Sequence, residues 1–306
     1  MGNAGAERQM LSISGVERDT GLSKDTLRVW ERRYGFPKPA RDLHGERVYG
    51  GHELDKLRTL KRLIDRGYRP GKIIHLELDE LAKLTEATTG TLDASEVPTE
   101  LRPLLDLIKA HNVNELRYAL AQTLATQGLQ GFILQTVAPL NYQVGLAWMR
   151  GHFEVFEEHI YTETIQGLLR QAIATVPAVD TEPRVLLTTF PSEQHHLGLL
   201  MVQGLLGLNG CTCISLGTQT PIRDIALAAT THSAHVVALS FSASYPSSYI
   251  LEGVLELRAK LPPNIGMWVG GANPGLPRRA IAGVRVIGKL DEVATVVREW
   301  RLERST

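Results

Sequence analysis

From Pro183 onward, short β-rich runs alternate with helical stretches, and this alternation restricts the possible folds more than any other feature of the chain. The β runs cover residues 184–189, 211–216, 236–240, 266–269 and 284–287. Helical spacing marks 197–208, 221–231, 247–261 and 290–301. Strands that restart in the same direction after each helix build a parallel sheet with helices on both faces. Residues 183–306 are therefore expected to form a doubly wound, five-stranded, Rossmann-like domain. Ligands of such sheets settle at the carboxyl ends of the strands.

The pattern upstream is different. Between residues 101 and 176, Leu, Ile, Ala and Val recur at helical spacing, with breaks near Asn112, Gly128 to Gly131, and Gly151. That predicts a four-helix bundle over 101–178. Residues 86–100 are small and polar, and a linker is expected over 81–100. The chain of 306 residues, 43% hydrophobic and 22% charged, is neither wholly disordered nor collagen-like. No apolar run comes near the ~18 residues of a membrane span, so no membrane contact is expected. No secretory signal pattern opens the chain, and Ala6 stands where a myristoylation site after Gly2 needs Ser or Thr. The two cysteines, Cys211 and Cys213, give no disulfide framework, and a cytoplasmic location is expected.

Zero net charge conceals an asymmetry. Residues 1–78 hold 16 Lys and Arg against 11 Asp and Glu, and the remainder is acidic by the same margin. A basic head on an acidic body suits a polyanion at the head. Within residues 10–80, Ser14 and Glu17 read as a capping box for a short helix to Thr20. Ser23 reads as the cap of a second helix, which runs to Tyr34 and stops at Gly35 and Pro37. A basic hairpin follows from Arg41 to Gly51, and further helices cover about 53–66 and 70–78. Two short helices and a basic wing make a winged helix-turn-helix. Ser23, Lys24 and Thr26 are placed to meet phosphates or base edges. Arg28, Arg32, Arg33 and Tyr34 lie further along the same helix, and Arg41, Arg47 and Tyr49 of the wing are expected along the backbone.

The run Leu27-Arg28-Val29-Trp30-Glu31-Arg32-Arg33-Tyr34-Gly35-Phe36-Pro37, with His44-Gly45-Glu46-Arg47-Val48-Tyr49 after it, resembles the DNA-binding domain of MerR-type regulators. That resemblance implies binding of pseudo-palindromic promoter double-stranded DNA by dimers or higher oligomers. The metal-sensing branch needs thiolates soon after the long helix. Here the cysteines lie far away in a β run, and metal sensing is not expected.

The first strand–helix junction reads Phe190-Pro191-Ser192-Glu193-Gln194-His195-His196-Leu197-Gly198. A His at this strand end can ligate a metal through one ring nitrogen while a carboxylate such as Glu193 orients the other. Glu193-x-His195-x-x-Gly198 resembles the cobalamin-binding signature of methionine synthase and its relatives, with 41 residues between Gly198 and Ser240 and 27 between Ser242 and Gly270-Gly271. That family has Ser-x-Leu where this chain has Ser240-Phe241-Ser242, a departure expected to affect packing near the cofactor tail more than ligation. The resemblance implies cobalamin bound with His195 as lower axial cobalt ligand. Ser240 would lie along the nucleotide tail, Gly270 and Gly271 would admit its approach, and Thr218 and Thr220 would line the cleft.

In the helical segment, Trp148, Val155 and His159 fall on one side of a helix if Gly151 does not break it, a stripe as suited to a core as to a cap. Trp148, nine residues, then Glu158-His159, ahead of a cobalamin domain, resembles the CarH/LitR-type adenosylcobalamin photoreceptors. In these, residues matching Trp148, Val155, Glu158 and His159 surround the upper adenosyl group. A His that follows the Trp and captures cobalt after illumination is here Met149, with His152 three residues on as an alternative ligand. The resemblance implies a light-dependent transcriptional repressor. It would grip promoter DNA in the dark as an adenosylcobalamin-loaded homo-oligomer, dimer or tetramer, and let go when light cleaves the Co–C bond. Two other readings stand beside it: a light-insensitive cobalamin-sensing regulator, and a corrinoid enzyme or methyl carrier. The second of these lacks a segment for a substrate domain, and no catalytic residue is assigned.

Overall fold

The computed structural model describes residues 10–65, 68–87, 97–149, 152–177, 181–277 and 280–305. They form two compact units, one built from the head and one from the bundle and sheet together.

The head opens with a short strand, β1 (Leu11–Ser12), and helices α1 (Ile13–Thr20) and α2 (Lys24–Tyr34). The cap of α1 is Ser12, whose Oγ accepts from the Gly15 amide at 3.2 Å, and not the expected Ser14. Pairing of β1 with the wing fixes the chain at Ser12, which starts the helix two residues earlier. Glu17 then reaches forward, accepting from the Lys24 amide at 3.1 Å, and so ties the start of α2 to α1. Ser23 caps α2 as its sequence suggests, and Gly21 and Gly35 adopt the left-handed conformation that ends each helix. The wing is β2 (Ala40–Arg41) and β3 (Arg47–Tyr49), antiparallel around a turn that Asp42 Oδ1 closes on the amides of His44 and Glu46. Helix α3 (Gly51–Asp65) supplies Leu54, Leu57, Leu60 and Leu63 to a core that also holds Val16, Leu27 and Trp30. Helix α4 (Pro70–Ile73) follows, and α5 (Leu78–Ala87) occupies the start of the stretch expected to be linker. Residues 88–96 of that stretch lie outside the described residues.

The second unit begins with α6 (Arg102–Lys109) and α7 (Val113–Gly131), the latter capped by Asn112 and kinked at Gly128, where φ is 67°. A π turn over Phe132–Val137 leads into α8 (Ala138–Met149), and α9 (Val155–Ala174) completes four helices. The break between α8 and α9 puts Trp148 on one helix and Val155 and His159 on the next. The single-helix stripe considered for these three residues does not form.

Strands β4 (Arg184–Thr188), β5 (Thr212–Gly217), β6 (Val236–Phe241), β7 (Gly266–Gly271) and β8 (Val284–Ile287) are parallel in the order β5-β4-β6-β7-β8. Helices α10 (Leu197–Leu208) and α13 (Val293–Ser305) cover one face, and α11 (Ile222–Thr231) and α12 (Ser247–Lys260) the other. The bundle packs onto α10 at Gly204, where a Cβ would lie 2.9 Å from Ile133 and 3.5 Å from Ile173. The strand order reverses between β4 and β6, which opens a crevice at their carboxyl ends. Among the described residues, no helix is long and apolar enough to cross a membrane.

Tyr49 and Tyr161 are fully buried, and among the described residues they carry the buried side-chain polar atoms without a hydrogen-bond partner. Their hydroxyls contribute desolvation cost and no bond. Tyr49→Phe and Tyr161→Phe are expected to hold or raise thermal stability, within about 1 kcal/mol. Tyr49→Ala should lose about 3–5 kcal/mol to the cavity it leaves. Thermal denaturation followed by circular dichroism measures both.

Candidate functional site

The loop after β4 leaves the sheet at the crevice and carries a carboxylate out of water. Glu193 is 1% exposed, yet each of its oxygens is satisfied. Oε1 accepts from His195 Nδ1 at 2.6 Å and from the His195 amide at 3.0 Å. Oε2 accepts from the amide and the hydroxyl of Ser242, both at 2.8 Å. Burial raises the affinity of Glu193 for a proton, but the bonds from His195 and Ser242 outweigh it and hold the carboxyl below its ordinary range. An ionised Glu193 keeps the ring proton of His195 on Nδ1, which makes Nε2 the lone-pair nitrogen. The His195 side chain is 62% exposed, so this nitrogen sits on a ring that a large ligand can reach.

Ser242 therefore acts on the ligand loop itself, and not chiefly on packing near a cofactor tail. It stands where the resembling family has Leu, and its hydroxyl gives the carboxylate a donor that a Leu lacks. Its loop is held in turn by Asn273, 4% exposed, which donates to the carbonyls of Ser242 and Tyr245 at 2.6 and 2.7 Å. Thr189 joins the first two loops: its Oγ1 donates to the Glu193 carbonyl at 2.7 Å and accepts from the Gln219 amide at 2.8 Å. Thr220 meets the Thr188 hydroxyl at 2.7 Å, and Thr218 lies half-buried beside it at the end of β5. Asn273, Thr188 and Thr189 escape a search by motif, because their partners lie on loops far apart in sequence. The one cue was the position of Thr188 and Thr189 at a strand end.

The motif glycines pack against the protein itself. A Cβ on Gly198 would stand 2.7 Å from Ser240 Oγ, so residues separated by 41 positions are in contact. Gly271 has φ 121°, and its Cβ would meet the Phe241 carbonyl oxygen at 2.1 Å; a Cβ on Gly270 would meet the Ile287 oxygen at 3.0 Å. Bare backbone at these positions keeps the strand ends close and the crevice floor low.

Helix α9 brings Val155, Glu158 and His159 together. Its buried face is Glu157, Tyr161, Ile165, Leu168 and Leu169, and the opposite stripe is Val155, His159, Glu163, Gln166 and Arg170. The charges of Glu163 and Arg170 reach His196, which burial and Arg170 hold below its ordinary protonation range. On that stripe His159 lies one helical turn and Val155 two turns before Glu163. Glu158 flanks it, accepting from the Thr162 hydroxyl at 2.6 Å. Trp148 is half-buried near the end of α8; Met149 ends that helix, and His152 is exposed in the connection.

In the head, Lys24, Thr26, Arg28, Arg32, Arg33 and Arg41 lie along α2 and the wing with at least partly exposed side chains, and Ser23 is exposed at the cap. Tyr34 is half-buried under Arg33, whose guanidinium is 5.3 Å from the ring centre. The expectation for Tyr49 is corrected: it is 0% exposed and belongs to the head core. Arg47 is committed to Glu31 at 2.8 Å. The two-residue period of β3 explains both, since Arg47 and Tyr49 share the face turned toward α2.

Comparison with known proteins agrees with this layout. The family model of MerR HTH family regulatory proteins matches residues 11–80, and two B12 binding domain models match 100–173 and 183–297. The HTH-type transcriptional repressor CarA of Myxococcus xanthus is 31% identical over 269 residues, covering 84% of this chain and 86% of that protein. The chain belongs to the MerR-type regulators that carry a B12-binding domain. A second family member, the HTH-type transcriptional repressor CarH of the same organism, is 29% identical over 82% of this chain and 85% of its own. The monomethylamine corrinoid protein of Methanosarcina barkeri superposes with a TM-score of 0.52 at 20% identity, over 65% of this chain and 96% of that one, and shares the fold. The chain is thus a transcriptional regulator with a site for a cobalamin-type cofactor, and the donor set suits one: a single imidazole, oriented by a buried anion, beside a floor of glycine.

Ser242→Ala removes one of the donors that hold the buried Glu193 charge. It is expected to cost about 1–3 kcal/mol in thermal unfolding of the unloaded protein. Ser244→Ala, two residues on in an exposed position, should leave the transition unchanged.

Proposed function

We propose that this regulator binds adenosylcobalamin in the crevice and represses its promoter in the dark, releasing the DNA when illuminated. The observation that supports this most directly is the Glu193–His195 pair, an exposed imidazole whose orientation a buried carboxylate sets at the mouth of the crevice. In this reading His195 would hold cobalt through Nε2, and Ser240, Gly270, Gly271, Thr218 and Thr220 would hold the nucleotide tail. Trp148, Val155, Glu158 and His159 cover the adenosyl group. When bound, adenosylcobalamin supplies a cobalt–carbon bond that light breaks.

The division of labour we propose is a DNA-reading head over 10–80, a cap over 101–178 and a cofactor domain over 183–306. The cap and the sheet share a packed interface at α10, so covering the adenosyl group draws α9 and the ligand loop into one arrangement, which the oligomer then selects. Several heads held in one oligomer bind neighbouring half-sites with a high effective concentration, and separated heads lose it. Ser23, Lys24, Thr26, Arg28, Arg32, Arg33 and Arg41 contact the duplex in this account, with phosphate neutralisation as the main source of affinity.

A second reading has a specific observation in its favour. Met149 stands where the resembling photoreceptors have a His, and a thioether is a weak ligand for oxidised cobalt. A cobalamin sensor indifferent to light would carry such a residue.

The test is size-exclusion chromatography with absorbance detection and promoter binding on the same sample, in darkness and after green light. The expected result is a coloured dark oligomer that shrinks on illumination while DNA affinity falls by roughly a hundredfold. A coloured oligomer unchanged in size and affinity by light overturns the photoreceptor reading in favour of ligand sensing. His195→Ala is expected to elute colourless and to bind promoter DNA as the unloaded protein does.

A further inference from the structure

One strongly ionic cluster in the bundle is left unexplained by the cofactor crevice. Glu157, at the start of α9, is 1% exposed although the residues on either side of it are not buried. Its carboxylate accepts from Lys109 Nζ at 3.2 Å to each oxygen, from His111 Nε2 at 2.8 Å, and from the Glu154 amide at 2.6 Å. Lys109 ends α6, and His111 follows it with φ 56° in the turn before α7. The His111 ring also lies 5.2 Å from the ring of Phe156. Burial alone would push the Glu157 carboxyl up, but the bonds from Glu154, His111 and Lys109 hold it below its ordinary range, so the group is an anion with its donors in place. These contacts join the first helix of the bundle to the first turn of α9.

That turn is where the cap residues sit. Val155 is two residues before Glu157, and Glu158 and His159 follow it directly. At 100° per residue, fixing the Glu157 side chain against α6 fixes the rotation of α9, and with it the direction in which Val155 and His159 leave the helix. Hydrophobic packing sets this rotation less sharply at the N-terminal end, because Val155 and Phe156 are about half exposed and the apolar stripe begins only at Tyr161.

We propose that Glu157, latched by Lys109 and His111, is the positioning residue for the upper face of the cofactor site: it makes the site selective for a cobalamin with an adenosyl group. The inference rests on the assignment of Val155, Glu158 and His159 to that face. It assigns Glu157 no contact with the cofactor.

The test compares equilibrium binding of two probes that share a corrin ring and tail and differ above the ring, adenosylcobalamin and hydroxocobalamin, by absorbance titration in the dark. Glu157→Gln and the double variant Lys109→Met/His111→Ala are used. The second changes only exposed side chains and keeps the test valid if the first does not fold. Each variant that folds is expected to bind adenosylcobalamin about tenfold more weakly than the wild type, with hydroxocobalamin affinity within about twofold. Equal losses for both probes, or no loss for either, would overturn the latch. Wild-type protein that fails to prefer adenosylcobalamin would instead remove the cap assignment, and the latch with it.

Discussion

The site depends on one buried charge. Moving a carboxylate out of water is costly unless donors replace its hydration, and the fold supplies Glu193 with donors from two loops that lie 49 residues apart. Because those donors leave the ends of β4 and β6, the charge can be satisfied only when the two strands are adjacent and in register, with Thr188 beside Leu239. Satisfying Glu193 and closing the crevice are thus one event. The same carboxylate sets the tautomer of His195, so the lone pair on its Nε2 is bound up with the folding of the sheet.

A second constraint links the sheet to the bundle. Helix α10 begins at the ligand loop and runs beneath the bundle, and Gly204 lets Ile133 and Ile173 approach its backbone. Helix α9 packs on α10, and burial with the charge of Arg170 on α9 holds His196, in the loop before α10, below its ordinary protonation range.

Much of this was legible before any coordinates. The five β runs and their helices coincide with the strands and helices of the sheet to within a residue or two at most ends, because parallel strands buried on both faces leave uninterrupted Val, Leu and Ile runs. The pairing of Glu193 with His195 was legible too, since two residues of separation in a loop bring side chain and ring together. What could not be read were contacts set by tertiary packing. Ser12 displaced Ser14 as a helix cap because β1 pairs with the wing. Tyr49 entered the core because a three-residue strand gives too little periodicity to tell its faces apart. Ser242 looked like a packing difference because nothing in a spacing reveals that a hydroxyl will meet a carboxylate. The gap between α8 and α9 divided Trp148 from His159.

The proposed cofactor, cap and switch all turn on His195 as the cobalt ligand. The most direct test is electron paramagnetic resonance of the protein loaded in the dark with reduced, cobalt(II) cobalamin, prepared with ordinary histidine and with histidine labelled with heavy nitrogen. The predicted result is a nitrogen splitting on the cobalt signal whose pattern changes on labelling. A splitting that ignores the label would mean that the cofactor's own base remains on cobalt, and would contradict His195 ligation.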